Sequence, residues 1–162
     1  MDYAIYYGQS RDQTTNAHRM AIAAVYYQPP NSLYWYDGPS KYANAANWPG
    51  LPWFDVVPTS WDESRTLAGE IGEYVAIARR GGTTWYLGAM TNETARTLSI
   101  PLSFLGSGSS TYPATVYADG TPGSSPYATP VTVATQTVSA SSTPTVAMAS
   151  AGGQAVILKP LN

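Results

Sequence analysis

PTSWDESRTLAGEIGEYVAIARRGGTTWYLGAMTNETARTLSIPLSF, residues 58–104, is the stretch that decides the fold. Three strand-like runs lie inside it, at residues 74–78, 84–90 and 96–100. The turns between them are residues 80–83, where two glycines take positive φ at little steric cost, and residues 91–94. Alternation along the three runs places the following apolar side chains on one face: Val75, Ile77, Trp85, Leu87, Ala89, Leu98 and Ile100. The stretch predicts a three-stranded antiparallel meander with that face packed inward.

Short strands continue downstream of this stretch. The candidates are residues 111–118, 131–138, 145–149 and 154–158, and the last two read as a hairpin across residues 151–153. In the first of them Ala114 and Val116 share a face, and the turn residues Asp119 to Gly123 follow it. The spacing of strands and turns predicts a mainly β fold, an antiparallel β-sandwich of about eight strands over residues 62–162.

The region upstream is different in character. Residues 1–15 are predicted to be mostly irregular, and a helix is predicted from about residue 16 to residue 27, with Thr14, Thr15 and Asn16 as N-cap candidates. This helix is apolar nearly all round, so it needs partners on several sides. A short aromatic strand at about residues 33–36 and an aromatic, proline-rich loop follow it.

Composition excludes several classes of function. The chain has 162 residues, which allows one domain or one and a half. Only 11% of the residues are charged and the net charge is −2, so neither a nucleic-acid partner nor a membrane surface is predicted. The chain has no cysteine, which excludes disulfides and thiolate metal sites. Neither a signal peptide nor a membrane-spanning segment is evident, and we expect a soluble domain.

The segments PTSWDESR, GEIGEYVAIARR, WYLGAMTNETARTLSIPLSFL and ATVYADG, in this order, resemble the C-terminal end of glycoside hydrolase family 97. The match runs from about residue 14 to near the C-terminus. The resemblance implies a parent enzyme that acts as an α-glucosidase or α-galactosidase and is several times longer. Such an enzyme has an N-terminal β-supersandwich, a central (β/α)8 barrel that carries the chemistry, and a C-terminal antiparallel β-sandwich.

The resemblance also implies an organisation for residues 1–61. TTNAHRMAIAAVYY is similar to the penultimate helix of the barrel, and LYWYDGPSKY to its last strand and the start of its last helix. PWFDVVPTSWDES is similar to the exit from the barrel. Residues 1–61 are therefore a barrel-remnant segment and residues 62–162 the sandwich. A closed eight-stranded barrel cannot form from one strand.

The family's catalytic glutamates and its calcium-ligating glutamates lie upstream of the match, so no catalytic residue, metal site or cofactor is predicted here. Asp37 is the carboxylate of most interest, because the resemblance places it at the end of a barrel strand, where barrel chemistry occurs. It is equally a turn residue before Gly38 and Pro39. His18, the one histidine, is either a structural hydrogen-bonding group or a base or ligand.

Aromatic side chains are the remaining candidates for a binding role. Flat rings stack on sugar faces, but tryptophan and tyrosine also dominate cores and protein interfaces. The candidate carbohydrate or interface contacts are Trp35, Asp37, Trp48, Trp53 and Trp61.

Three functions remain open. The first is a non-catalytic module that serves in oligomerisation or structural support of a carbohydrate-degrading enzyme. Its residues 16–61 would then self-associate, bind a missing barrel partner or pack back onto the sandwich, because exposed apolar surface of that extent finds a partner. The second is a carbohydrate-binding module that uses exposed rings. The third is a residual glycosidase, which needs two suitably spaced carboxyl groups. The family is often periplasmic or secreted.

Overall fold

The computed structural model describes residues 4–6, 13–26, 32–34, 48–106 and 110–161. The strands and helices of these ranges are, in chain order, β1 (Ala4–Tyr6), α1 (Asn16–Val25), β2 (Ser32–Tyr34), α2 (Leu51–Val56), β3 (Glu63–Glu70), β4 (Tyr74–Gly81), β5 (Thr84–Thr91), β6 (Arg96–Ser99), β7 (Tyr112–Asp119), β8 (Val131–Val138), β9 (Thr145–Met148) and β10 (Gly153–Leu158). Neither helix of this described part has the length and apolar character that crossing a membrane requires.

Two antiparallel sheets form the β-rich body of the chain. The larger sheet has six strands in the order β3-β4-β5-β10-β7-β8, and the smaller one pairs β6 with β9. Eight strands follow residue 62, so the prediction of a mainly β, antiparallel sandwich of about eight strands is confirmed.

The core lies between the two sheets. The larger sheet contributes alternate side chains such as Ala78, Leu87 and Leu158, and β9 contributes Val146 and Met148. Strand alternation explains this pattern, because every second residue of a strand faces the same side. We call this side of the six-stranded sheet the inner face.

The opposite side of the six-stranded sheet is covered by the helices, so the molecule has three layers. Met20, Ala23 and Ala24 of α1 and Trp53 of α2 pack with Tyr86 and other side chains of the sheet in a second apolar cluster. We call this side the helix-covered face. The predicted helix is confirmed, with Thr15 as its N-cap; it ends at Val25, and residue 27 lies outside the described ranges.

A second strand accompanies the predicted aromatic strand at residues 33–36. Residues 1–15 were expected to be mostly irregular, but β1 forms there and pairs in parallel with β2. Two parallel strands need a crossover connection between them, and α1 lies between β1 and β2 in the chain. The segment thus contains a β-α-β unit with two strands rather than one. Residues 35–36 of the predicted strand lie outside the described part.

The meander in the structure is formed by a different set of strands from the predicted one. Its three strands are β3, β4 and β5, whereas the run at residues 96–100 forms β6 and pairs with β9 in the smaller sheet. The expectation was wrong because β10 pairs with β5 on the side where β6 was placed. After β5 the chain leaves the six-stranded sheet in a turn that the Thr91 hydroxyl stabilises. This hydroxyl donates to the Thr94 carbonyl and accepts from Arg96 Nε.

The face assigned to β4 was also wrong. Register pairs Ala76 with Ala89 and Ala78 with Leu87, so these alanines, and not Val75 and Ile77, share the inner face with β5. Val75 and Ile77 lie on the helix-covered face. Because both faces of the sheet are covered, both sets of alternate residues are apolar, and alternation cannot tell which set faces the core.

The predicted last hairpin is a corner between the two sheets. β9 pairs with β6, whereas β10 pairs with β5 and β7, so the two strands belong to different layers. The connecting residues make a tight turn, in which Gly152 N donates to Ala149 O over 2.9 Å and Ala151 takes a φ of 52°. A turn of this shape carries the chain across the core instead of reversing it within one sheet.

Candidate functional site

The C-terminal end of α1 is fixed to the sheet by Arg79. The last carbonyls of a helix have no partner within the helix. Arg79 Nε donates to the Ala24 carbonyl, and Nη2 donates to the Val25 carbonyl over 2.9 Å. Arg79 is 4% exposed, and its Nη1 also donates to Ser64 Oγ over 2.8 Å. A buried cation at this end complements the negative pole of the helix.

Two glycines let the backbone of α1 lie directly on the sheet. A Cβ at Gly88 would be 2.6 Å from the Ala21 carbonyl oxygen, and one at Gly153 would be 2.6 Å from His18 Cα. Real Cβ atoms essentially never approach other atoms so closely. Gly88 is in β5 and Gly153 begins β10, so the helix crosses two neighbouring strands at positions that need glycine.

The N-terminal end of α1 meets the corner between β9 and β10. Thr15 Oγ1 accepts from His18 N over 3.1 Å, which is the N-cap bond, and Thr15 N donates to Ala151 O over 3.0 Å. His18 Nδ1 lies 3.1 Å from Gly152 O. A carbonyl can only accept, so Nδ1 carries the proton in this contact. The predicted structural role of His18 is the one these contacts show.

Asp119, at the end of β7, anchors the same corner. Its Oδ2 accepts from Ala149 N over 3.0 Å and from Gly153 N over 2.9 Å. A Cβ at Gly152 would collide with this oxygen. One carboxylate therefore connects the end of β7 with both sides of the turn between β9 and β10.

Burial shifts the pKa of both ionisable groups of this corner. Desolvation lowers the pKa of His18 from its ordinary value of 6.5, although the bond to Gly152 opposes the shift. Desolvation also raises the pKa of Asp119, against hydrogen bonds from Thr15, Ala149 and Gly153. Both shifts favour the neutral form. This is the expected behaviour of groups that hold elements together in a partly dry environment.

Aromatic rings close the helix-covered face. Trp53 is 0% exposed, and its ring meets Tyr86 and Tyr117 edge to face at centroid distances of 5.9 Å and 6.1 Å. Trp61 stacks edgewise on Tyr86 at 5.5 Å, and its ring also lies 6.0 Å from the Arg79 guanidinium. Trp53 is thus enclosed within the chain, whereas Trp61 is half-buried.

The structure describes three of the five candidate contact residues, Trp48, Trp53 and Trp61, and all three pack in the apolar cluster of the helix-covered face. Trp35 and Asp37 lie outside the described residues. Trp53 and Trp61 belong to the helix-covered face. Trp48 is half-buried and lines a cleft of about 220 Å³ with Tyr127, Thr129 and other residues.

A larger cavity of about 560 Å³ lies under the β3–β4 hairpin, beside His18. Its walls are mostly apolar and include the fully exposed Ile71. Two carboxylates, Glu70 and Glu73, reach it, but Glu73 is bound to Arg96 Nη2 at 2.6 Å. A glycosidase needs one carboxyl group as acid and another as nucleophile or base. Within the described ranges, no group of three or more metal-binding side chains is assembled.

The two edges of the six-stranded sheet differ sharply. β3 carries Glu63, Arg65 and Glu70, and its register with β4 shifts between Thr66 and Ala68. Glu63 binds both Arg65 and Arg80, at 2.6 Å and 3.2 Å, and these bonds hold the pKa of Glu63 below its ordinary value. β8 has the sequence VTVATQTV, with no charge, and is paired without a register shift along its whole length.

The sequence analysis missed four important features. Arg79 was left between the predicted strand at residues 74–78 and the turn at residues 80–83, although an arginine in the apolar run YVAIARR is a signal of a buried partner. Asp119 was assigned to turn chemistry and Gly153 to a hairpin. The absence of charge in β8 was visible but was not interpreted.

A family model described as "Glycosyl-hydrolase 97 C-terminal, oligomerisation" matches residues 60–159. The chain is 38% identical to a retaining α-galactosidase of Bacteroides thetaiotaomicron over 114 aligned residues. The aligned residues make up 70% of this chain and 16% of that protein.

Solved structures of glycoside hydrolases are also similar to this chain in sequence and fold. A glycoside hydrolase family 97 enzyme from Pseudoalteromonas sp. strain K8, in complex with acarbose, is 34% identical with a TM-score of 0.81. The alignment covers 94% of this chain and 23% of that enzyme. A β-arabinopyranosidase is 25% identical with a TM-score of 0.71, over 90% of this chain and 21% of the other. The chain thus spans less than a quarter of these relatives.

Proposed function

Since the chain belongs to the family of glycosyl-hydrolase 97 C-terminal domains, we propose that it is a non-catalytic module that joins copies of a carbohydrate-degrading enzyme and supports its barrel. The observation that carries the proposal is the family match over residues 60–159, whose description names oligomerisation. By this proposal the enzyme of which such a domain forms part acts on α-glucosides or α-galactosides. The resemblance recognised in the sequence is confirmed by this match and by the relatives.

The use of the carboxylates supports a structural role. Asp62 and Glu63 contact Arg80, Glu73 binds Arg96, and Asp119 accepts two backbone amides. For Glu63 the hydrogen bonds from Arg65 and Arg80 hold the pKa below its ordinary value, which disfavours the protonated form that an acid catalyst needs. These four groups are engaged in contacts that hold the fold together.

The β-α-β unit supports the barrel part of the proposal. Parallel strands joined by a helix are the repeating unit of a (β/α)8 barrel. The described apolar residues of α1 are buried within this chain, on the helix-covered face. A helix that is shared in this way between a barrel and a sandwich would hold the two at a fixed orientation.

Light scattering after size-exclusion chromatography, combined with an aryl glycoside assay, tests the proposal. We expect a mass above that of one 17.3 kDa chain, and no turnover of aryl α-galactosides or α-glucosides. A mass of one chain at every concentration would contradict the association. Turnover by the purified chain, abolished when Glu70 is changed to glutamine, would contradict the non-catalytic role.

The cleft beside Trp48 favours carbohydrate binding as a second candidate function. It places the ring of Trp48 and Tyr127 beside the polar side chains of Asn16 and Thr129, which is the mixture of flat and hydrogen-bonding groups that a sugar ring requires. Calorimetric titration with maltooligosaccharides and α-galactosides tests it. Heat that disappears in Trp48→Ala but persists in Trp61→Ala would support this cleft, and no heat at millimolar sugar would exclude it.

A further inference from the structure

No described strand pairs with the outer edge of β8. β8 is the last strand of the six-stranded sheet, and its residues 132–137 are exposed, with Val133 at 45%. An exposed edge of unpaired N–H and C=O groups is a template for another strand, and proteins usually protect it with charges, proline or bulges. β8 has none of these three, since it contains no charged residue and no proline and its pairing with β7 is regular.

The register shows which backbone groups point away from the sheet. The carbonyl of Pro113 on β7 accepts from Lys159 N, beyond the end of β10, so the backbone groups of Pro113 face β10. Thr137 lies opposite Pro113 on β8, and its own N–H and C=O must therefore face outward. Alternation gives the same direction to Thr135, Val133 and Val131.

We propose that two copies of this chain join by antiparallel pairing of β8 with the β8 of the second copy. The proposal rests on the proposed function, and it names the surface that the association uses. A strand paired antiparallel with itself forms a two-fold symmetric, isologous contact. With the two-fold axis at Ala134, Val133 pairs with Thr135 of the second copy and Val131 pairs with Thr137. In this register every outward backbone N–H and C=O of the two strands is bonded, which gives about eight hydrogen bonds.

Charge explains why this edge, and not the other, accepts a second copy. When a strand pairs with the identical strand of a second copy, a charged side chain near the symmetry axis lies beside the same charged side chain of the other copy. β3 would bring Glu63, Arg65 and Glu70 into such a contact, and its bulge between Thr66 and Ala68 breaks the regular ladder. β8 brings only valine, threonine, alanine and glutamine, and cross-strand pairs of β-branched residues are favourable.

Opposite charges at the symmetry axis test the pairing. Ala134 is exposed, and in the proposed dimer it faces itself at the distance of a directly opposite pair, about 5 Å. Ala134→Lys alone and Ala134→Glu alone should each raise the dimer dissociation constant about tenfold or more, because like charges meet. An equimolar mixture of the two should restore association. Sedimentation velocity over a dilution series measures all three.

Two further variants complete the design. Thr66→Lys places the same charge on the β3 edge and should leave the dissociation constant unchanged. Thr135→Pro removes an outward N–H without breaking the β7 ladder, because proline is tolerated on an edge strand with its N side facing solvent. It should also weaken the dimer, and far-UV circular dichroism identifies the variants that fold.

The outcomes separate this inference from the proposed function. Loss of association in both single-charge variants, with recovery in the mixture, supports β8 pairing. If the wild-type chain associates and Ala134→Lys, Ala134→Glu and Thr135→Pro leave its dissociation constant unchanged, β8 pairing is overturned while the association function stands. Loss of association only in Thr66→Lys also overturns it, in favour of the opposite edge. A wild-type chain that stays monomeric overturns both.

Discussion

The helix-covered face and the β8 edge are opposite kinds of surface. The face is apolar, and the chain itself covers it with α1 and α2 through Arg79, Gly88 and Trp53. The edge is only mildly apolar, and no described strand covers it. Composition indicates the segment at residues 16–61 as the association surface, whereas the apolar side chains of α1 and Trp53 of α2 are buried inside the chain.

The difference teaches that hydrophobicity by itself does not identify an association surface. What matters is which groups are left without a partner once the chain has folded. For a sheet edge these are backbone N–H and C=O groups, which no hydropathy scale records. Variants of the helix-covered face should therefore change stability and not association, and the experiments that follow measure the change in stability.

The largest effect is expected from Trp53→Ala. Trp53 is fully buried between Tyr86 and Tyr117, and removing a buried tryptophan side chain costs about 4 kcal/mol through lost contacts and the cavity left behind. Urea denaturation measures the free energy of unfolding. Trp48→Ala is the matched control, because Trp48 is half-buried, and it should lose much less. Equal losses in the two variants would contradict the central place of Trp53 in this face.

Gly88→Ala should destabilise the chain by about 3 kcal/mol, since the new methyl group overpacks a close contact. Its Cβ would lie 2.6 Å from the Ala21 carbonyl oxygen, so α1 must move away from β5. Gly69→Ala is the control, because its Cβ would lie 3.5 Å from the nearest atom, an ordinary contact. Thermal unfolding of both variants gives the comparison, and a neutral Gly88→Ala would show that α1 does not lie on the sheet.

Variants of the neighbouring residues Arg79 and Arg80 compare the loss of a buried helix cap with the loss of a surface ion pair. Arg79→Met leaves the carbonyls of Ala24 and Val25 without this buried donor, which should cost about 2 kcal/mol. Arg80→Met loses exposed contacts with Glu63 and should cost less than about 1 kcal/mol. Urea denaturation again provides the measurement. A larger loss in Arg80→Met would contradict the capping role of Arg79.

The smallest effect is a pH dependence that comes from His18. Its pKa is lowered in the folded chain, so its contribution to stability is fully present above 6.5 and is lost as the pH falls toward the folded value. The free energy of unfolding should thus decrease from about pH 8 to about pH 5, and His18→Gln should flatten this part of the curve. An unchanged slope in His18→Gln would contradict the assignment.

Asp119 acts in the opposite direction and provides the check on sign. Its raised pKa gives a contribution that is present below 3.8 and is lost as the pH rises through the folded value. Asp119→Asn should therefore remove a loss of stability with rising pH, while it leaves the His18 effect in place.

Local signals predicted much of the fold. The helix with its Thr15 cap, the turn at Gly82 and the limits of β8 follow from capping, glycine and β-branched patterns that act over a few residues. The sorting of strands into sheets was not predictable in the same way. Whether β6 pairs with β5 or with β9 depends on the competing strand β10, which lies more than fifty residues further along the chain.

The contact residues show the same limit. The tryptophans at residues 48, 53 and 61 were grouped by residue type, but their burial differs, because the sheet covers Trp53 completely while Trp48 lies beside a cleft. Asp119 and His18 both contact the corner at residues 149–153, although they come from β7 and α1, far apart in the sequence. A grouping by residue type cannot contain this information, since it depends on the folded path of the chain.

Amide hydrogen exchange at two protein concentrations tests the central comparison most directly. The outward amides of Val131, Val133, Thr135 and Thr137 should exchange quickly in dilute solution and become protected when the chain is concentrated. Inward amides of β8, which bond to β7, should be protected at both concentrations, and those of the β3 edge should not respond. Outward β8 amides that exchange quickly at every concentration, in a chain that sediments as a dimer, would contradict the account.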